Sequence, residues 1–298
     1  MNAFVSDGDS AALADAYAYC EQLAREHYEN FPVASHLLPA AMRPHVAAIY
    51  AFARTADDFA DDPGIPDDER FRLLDDWSAR LHRRARAQAD HDARADQIFL
   101  ALAATIERHA LPVQLLEDLL SAFRQDITVK RYATWTELLD YCRRSANPVG
   151  RLVLRVAGYD NPRLDAASDS VCTALQLTNF WQDLERDWKN GRLYVPLEER
   201  DRAGAHDEDL DAGRMTPQWQ TAMRAVTART RALFAAGRPV CDGVRGRLRW
   251  ELRATWLGGS RILDKLEAHN FDVFTRRPTL GAADVPALML NTLRWNWP

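Results

Sequence analysis

Apolar residues along this chain recur at intervals of three and four and rarely alternate at two, a periodicity that predicts amphipathic helices and no convincing strand pair. Ala, Leu and Arg dominate, all of them good helix formers. Pro and Gly punctuate the pattern at FPVASHLLP, DDPGIPDD, HALP, NPVG, AGYDNP, RMTP and GGS, dividing the chain into about ten helices joined by short turns. No long period repeats, which disfavours a solenoid. The expected class is all-α, a single domain over residues 1–298 with residues 1–14 as a flexible start. The most polar stretch, LHRRARAQADHDARADQ, reads as a solvated helix or loop rather than a linker.

Composition narrows the function classes. A chain of 298 residues with 47% hydrophobic residues can bury a large core, so disorder is disfavoured. The formal charge is −5, with arginines interleaved among acids, and this leaves no electrostatic footprint for a nucleic acid. Cys20, Cys142, Cys172 and Cys241 lie far apart, without the spacing of a zinc site or a disulfide framework, and suit a reducing interior. The N-terminal residues lack the basic, apolar and small-residue pattern of a leader, and no apolar run is long enough to span a bilayer. A soluble protein is expected, with peripheral membrane contact left open. The C-terminal VPALMLNTLRWNWP has two readings, docking on the other helices, which is the simpler, or contact with lipid.

Two acidic stretches carry the candidate chemistry. In YAFARTADDFADDPG, residues 50–64, four aspartates occupy six positions. On a helix beginning near Pro44, Val46, Ile49, Tyr50 and Ala53 form an inward stripe that Asp57 and Asp61 extend, with Asp58 and Asp62 beside them and Arg54 one turn earlier. Like charges at i,i+4 cost roughly 0.2 to 0.5 kcal/mol per pair, so the cluster works against its own helix. Either the helix frays before Pro63 and Gly64, or something compensates the charge.

In VCTALQLTNFWQDLERDWKNGRLYVP, residues 171–196, Asn179, Asp183 and Asp187 recur at i, i+4 and i+8 on one strip, flanked by Gln176. Val171, Leu175, Phe180, Trp181 and Leu184 cover most of the remaining circumference, so these oxygen donors must face something polar. A cavity holding cations meets that demand, and magnesium takes one or two protein carboxylates while water and phosphate oxygens complete its shell. Two facing acidic helices would suit several such ions around a diphosphate. The helix should end near Asn190 and Gly191, placing Lys189, Arg192 and Tyr194 where a mobile flap could cover an anion; the plainer reading is basic residues favoured at a helix C-terminus.

The pairing of RTADDFADD with QLTNFWQDLERDWKNGRLYVP resembles the squalene and phytoene synthase family of head-to-head prenyl-coupling enzymes, over about residues 15–270. Within it, EHYENFPVAS, SANPVG and NFWQDLERDW are most similar to the hydroxysqualene synthases of bacterial hopanoid pathways. The resemblance implies an isoprenoid synthase helical bundle around a central apolar cavity. It implies two or three magnesium ions held by Asp57, Asp61, Asn179, Asp183 and Asp187, and a prenyl diphosphate substrate. Arg54, Lys189, Arg192 and Tyr194 match positions near the diphosphate. His27, Tyr141 and Gln176 match positions lining the pocket, although His27 could equally be a satisfied core histidine and Tyr141 plain packing. Asn147, in a segment that differs from several relatives, sits beside a helix break near Tyr141 and would tune the product. Gln182 stands where some carotenoid-forming relatives have arginine, so the diphosphate contacts need not be identical.

The implied reaction converts presqualene diphosphate and water to hydroxysqualene and diphosphate without NADPH, in a bacterial cytoplasm or at the inner membrane, with no obligate protein partner. Two alternatives stand beside it: presqualene diphosphate or squalene synthesis from farnesyl diphosphate, and a noncatalytic assembly factor of the same fold.

Overall fold

A computed structural model describes residues 7–26, 37–82 and 93–295. It bears out the all-α expectation: the only extended pairing among these residues is an isolated bridge between Arg131 and Leu193. The described chain forms fifteen α-helices rather than about ten. The surplus comes from helices of five to seven residues, two turns or fewer, too short for apolar periodicity to register. None of the described helices is long and apolar enough to cross a membrane.

The chain divides into two compact units, residues 1–127 with 151–160, and residues 128–150 with 161–298. The first holds α1 (Asp7–Glu26), a 3₁₀ turn (Ala40–Met42), α2 (Arg43–Asp61), α3 (Asp67–His82), α4 (Ala93–His109) and α5 (Val113–Thr128), whose last residue enters the second unit. Helix α1 begins inside the stretch 1–14 that was expected to be flexible. Residues 83–92 of the polar segment lie outside the described residues.

The core of this unit is aromatic on one side and polar on the other. Phe52, Trp77 and Phe99 pack with ring centroids 4.6 to 5.9 Å apart, and the Trp77 indole donates to the Phe52 carbonyl at 3.3 Å. Behind them His45, 6% exposed, lies 3.1 Å from the Tyr17 hydroxyl and 3.0 Å from the Thr105 hydroxyl. These bonds satisfy polar groups that would otherwise be costly to bury.

The second unit begins with α6 (Trp135–Ser145), capped by the Thr134 side chain, and the start of α7 (Asn147–Val156), whose later residues belong to the first unit. Then follow α8 (Pro162–Gln182), α9 (Leu184–Lys189), α10 (Leu197–Ala203), α11 (Asp207–Asp211), α12 (Pro217–Gly237), α13 (Pro239–Gly243), α14 (Gly246–Ala268) and α15 (Val285–Arg294). Helix α8 starts on a cap in which Asn161 Oδ1 accepts from the Arg163 N–H at 2.9 Å, with Pro162 in the first turn, where its missing N–H costs nothing. Helices α8 and α12 approach closely because Gly237 has no Cβ: one there would lie 2.5 Å from Val171 Cγ2 and 2.8 Å from the Ala167 carbonyl oxygen. Each indole buried in this unit finds an acceptor: Trp181 on Thr230 at 2.8 Å, Trp256 on the Phe234 carbonyl at 2.8 Å, Trp135 on Glu199 at 2.7 Å and Trp219 on the His206 carbonyl at 2.8 Å.

Candidate active site

The first acidic motif occupies the last turn of α2. The helix continues through Asp61, and the Asp62 N–H still donates to the Asp58 carbonyl at 3.1 Å before Asp62 turns extended. The Asp62 carboxylate then accepts from the Gly64 N–H at 2.8 Å and closes the turn. Asp57 is half-buried; Asp58, Asp61 and Asp62 are exposed. The stripe these carboxylates continue differs from the expected one. Val46 and Ile49 are buried, but Tyr50 and Ala53 are half-buried, and the deepest line runs Ala48, Phe52, Ala56, Ala60. Ionised carboxylates follow the wetter line because burial without partners would be prohibitive.

Arg54 answers the repulsion within this cluster. Its guanidinium reaches the Asp58 carboxylate at 2.5 Å and the Asp57 carboxylate at 3.5 Å. Burial disfavours the Arg54 charge, but Asp58 and Asp57 outweigh it and raise the pKa above the ordinary arginine value.

The second motif is not one continuous helix, a correction to the sequence expectation. Helix α8 ends at Gln182, Asp183 adopts φ −101° and ψ 10°, and α9 starts at Leu184. The backbone nevertheless keeps the i,i+4 path: the Asp183 N–H donates to the Asn179 carbonyl and the Asp187 N–H to the Asp183 carbonyl, each at 2.9 Å. Asn179 Nδ2 also donates to the Asp183 carboxylate at 3.0 Å. The break has a tertiary cause that the local sequence does not carry. Arg277, from the segment between α14 and α15, grips both oxygens of Asp183, with Nη2 donating to Oδ2 at 3.0 Å and Nε donating to Oδ1. Gln182 Nε2 anchors the same segment through the Pro278 carbonyl at 2.6 Å. The only sequence signal for this clamp is a pair of adjacent arginines, Arg276 and Arg277, before Pro278.

The residues after α9, where a mobile flap was expected, form a strand-like segment tied by backbone hydrogen bonds. Helix α9 ends at Asn190 and Gly191, whose φ of +73° suits glycine. The Arg192 N–H then donates to the Asp187 carbonyl at 2.7 Å and the Leu193 N–H to the Lys130 carbonyl at 2.8 Å. Lys189 is exposed and its Nζ lies 2.6 Å from the Glu185 carboxylate, so its charge is engaged within the helix. Arg192 is half-buried. Tyr194 is 7% exposed and lies flat on Phe180, with centroids 3.6 Å apart and rings 2° from parallel. Tyr141, buried, and Tyr132 complete the aromatic cluster, with centroids 6.2 and 5.8 Å from that of Tyr194. Backbone pairing and stacking together leave this segment little freedom.

Asn147 opens α7 straight after α6 ends at Ser145, as the expected break requires; it is buried, and its Oδ1 accepts from Thr173 at 2.9 Å. Gln176 is half-buried, one turn before Asn179. His27 lies outside the described residues. Each unit thus presents one acidic motif with an arginine on it, and the second unit adds the aromatic cluster.

The squalene/phytoene synthase family model matches residues 24–284. The chain belongs to that family. It is 37% identical over 246 residues to hydroxysqualene synthase of Rhodopseudomonas palustris, covering 81% of this chain and 80% of that protein. To chloroplastic phytoene synthase 1 of Arabidopsis thaliana it is 31% identical over 284 residues, covering 93% of this chain and 66% of the plant protein. The crystal structure of squalene synthase HpnC from Alicyclobacillus acidocaldarius superposes with a TM-score of 0.80 at 36% identity, covering 88% of this chain and 96% of that one. Family membership and the all-α fold expected from the motifs therefore hold.

Magnesium, which the family fold implies, can be tested against the donor set. Among the described residues no three carboxylates, imidazoles or thiolates converge into a ready-made cage. Magnesium does not need one, since one or two carboxylates with water and phosphate oxygens suffice. Asp57 with Asp61, and Asp183 with Asp187 and the Asn179 amide, offer hard oxygens one turn apart, and Asp183 already sits against a cation, the Arg277 guanidinium. The residues fit the ion.

Proposed function

We propose that this family member converts presqualene diphosphate and water to hydroxysqualene and diphosphate, acting as a carbon–oxygen lyase. The bond from carbon to the diphosphate oxygen breaks, the cyclopropylcarbinyl cation rearranges, and a water oxygen bonds to the resulting cation and gives up one proton. Magnesium, held by Asp57 and Asp61 and by Asn179, Asp183 and Asp187, would neutralise charge developing on the departing diphosphate.

The chain's own residues have the remaining tasks. Arg54, Lys189 and Arg192 supply cations for phosphate oxygens, and Arg277 adds a fourth that sequence reading missed. The ring faces of Tyr141, Phe180 and Tyr194 offer π density to a carbocation and exclude stray nucleophiles. Buried Asn147, fixed by Thr173, and half-buried Gln176 provide polar groups whose placement would decide where water enters.

One observation carries the reading. Asp183 and Asp187 lie in the same short segment whose Phe180 stacks on Tyr194, so the groups for a leaving diphosphate and the shield for a cation come from one piece of chain. The similarity to a hydroxysqualene synthase over four fifths of both proteins supports the choice of product. The likeness to a structure of squalene synthase favours a second reading, in which farnesyl diphosphate is joined to presqualene diphosphate or carried on to squalene. Purified protein incubated with presqualene diphosphate and magnesium, with and without NADPH, separates them. Hydroxysqualene in both incubations is expected; squalene formed only with NADPH would overturn the proposal.

A further inference from the structure

Helix α15 is built inside out. Thr292 is buried and Asn291 and Leu288 are half-buried, whereas Val285, Met289, Leu290 and Leu293 are 49, 63, 45 and 66% exposed. At about 100° per residue, Val285, Met289, Leu293, Pro286 and Leu290 cover one arc of about 140°. A helix serving only its own core turns that arc inward. Nine large apolar side chains are exposed among the described residues, and five of them, Leu280 included, fall within residues 280–293. Scattered exposed leucines are ordinary; a concentration on one helix face marks a surface in use.

The helix is anchored at both ends with this arc outward. At its start the Asp284 carboxylate accepts from Lys265 at 2.5 Å, Arg261 at 3.1 Å and the Gly281 N–H at 2.8 Å. At its end the Trp295 ring packs on Trp256 with centroids 5.7 Å apart, its indole N–H donates to Asp242 at 3.2 Å, and Arg238 donates to its carbonyl at 2.7 Å.

Charge identifies what the arc would meet. Helix α15 has no acidic residue, and its one charge, Arg294, is exposed at the C-terminal end. There the guanidiniums of Arg238 and Arg253 lie 4.9 and 4.7 Å from the Trp295 ring. The neighbouring segment 238–253 carries five arginines against Asp242 and Glu251, a charge of +3 in a chain that totals −5. We propose that the outward face of α15, with this arginine and tryptophan rim, is a docking surface for an anionic phospholipid bilayer. Leu and Met side chains enter the acyl boundary, the half-buried indole sits at headgroup depth, and the exposed Arg294, Arg245 and Arg247 meet lipid phosphates, while Arg253 stays paired with Asp242 at 2.8 Å.

The test uses the full chain without substrate, so it is independent of the reaction assigned above. Binding is measured by co-sedimentation with vesicles of phosphatidylglycerol and phosphatidylcholine in equal parts, and with phosphatidylcholine alone. The wild type should bind the anionic vesicles, weaken with added salt, and lose about tenfold or more in affinity in Met289→Glu/Leu293→Glu. Both positions are exposed, so the variant should keep its circular dichroism and melting temperature. Arg294→Glu should lose less, through charge alone. Absent binding, or equal binding by wild type and double variant, overturns the proposal. So does a wild-type dimer in analytical ultracentrifugation that the double variant dissolves without any vesicle binding, since the face would then belong to a second copy.

Discussion

The two acidic motifs handle the same electrostatic problem by opposite means. In the first, repulsion among Asp57, Asp58, Asp61 and Asp62 is relieved by solvent and by Arg54 on the same helix, three and four residues away. In the second, the Asp183 side chain is 15% exposed and its hydrogen-bonded counter-charge is Arg277, ninety-four residues on, with Arg186 on α9 farther off at 3.9 Å. Local pairs between partly exposed groups are worth little, about 0.2 to 1 kcal/mol, and are readily traded for a better cation. A shielded, two-pronged arginine clamp holds its carboxylate more firmly and fixes the backbone around it. The first motif is therefore the more exposed set of carboxylates, and the second already has a cation hydrogen-bonded in place.

That contrast predicts equal chemical cost but unequal structural cost. In the proposed reaction Asp57→Asn and Asp183→Asn should each lower kcat by about 10²-fold or more, since each would remove charge needed only as the diphosphate departs. Melting should separate them. Asp57→Asn should leave the melting temperature unchanged, while Asp183→Asn weakens the two-pronged bond to Arg277 and should cost about 1 to 3 kcal/mol by urea titration. Equal melting temperatures would break the distinction.

The supports of the two motifs differ as well. Helix α2, which carries the first, buries His45 in its first turn, where burial, then His109 and Arg108, lower the pKa from 6.5 to about 4. This imidazole is neutral in the fold, whereas the unfolded chain takes up a proton near pH 6.5. Its stabilising contribution is therefore complete above about pH 6.5 and lost as pH falls toward about 4, with about 2 kcal/mol gone by about pH 5. Urea midpoints of the wild type should fall accordingly between about pH 7.5 and 5, more than those of His45→Gln. Helix α8, which carries the second motif, depends instead on close approach: Gly237→Ala must push against Val171 and the Ala167 backbone and should destabilise by about 1 to 3 kcal/mol.

The smallest effect sharpens the contrast most. If Arg277 stands in for a metal on Asp183, Arg277→Gln should tighten manganese binding in the absence of substrate about fivefold, read as loss of the free-ion paramagnetic resonance signal. Arg54→Gln should change it by about twofold or less, because its carboxylates are already open to water.

The same contrast explains what the sequence made legible. Arg54 and its aspartates lie within two turns of one helix, so 3.6-residue geometry alone revealed their pairing. The positions of Asn179, Asp183 and Asp187 were equally legible, since the i,i+4 path survives. The break at Asp183 was not, because the Arg277 clamp and the Gln182 anchor act through tertiary folding that no local period encodes. The tethering of Tyr194 was missed likewise. Glycine at position 191 with flanking cations resembles a loop, and only the pairing of Leu193 with Lys130 and the stack on Phe180 hold it still. The inverted helix α15 was half legible: its apolar residues show in the sequence, but which way they face depends on anchors at Asp284 and Trp295.

The proposed reaction requires that a water molecule capture the cation left after diphosphate departs. Turnover of presqualene diphosphate with magnesium in heavy-oxygen water, followed by mass spectrometry of the extracted triterpene, tests it directly. The account predicts hydroxysqualene whose hydroxyl carries the heavy isotope, formed with or without NADPH. An unlabelled hydrocarbon product, or presqualene diphosphate returned unchanged, would contradict it.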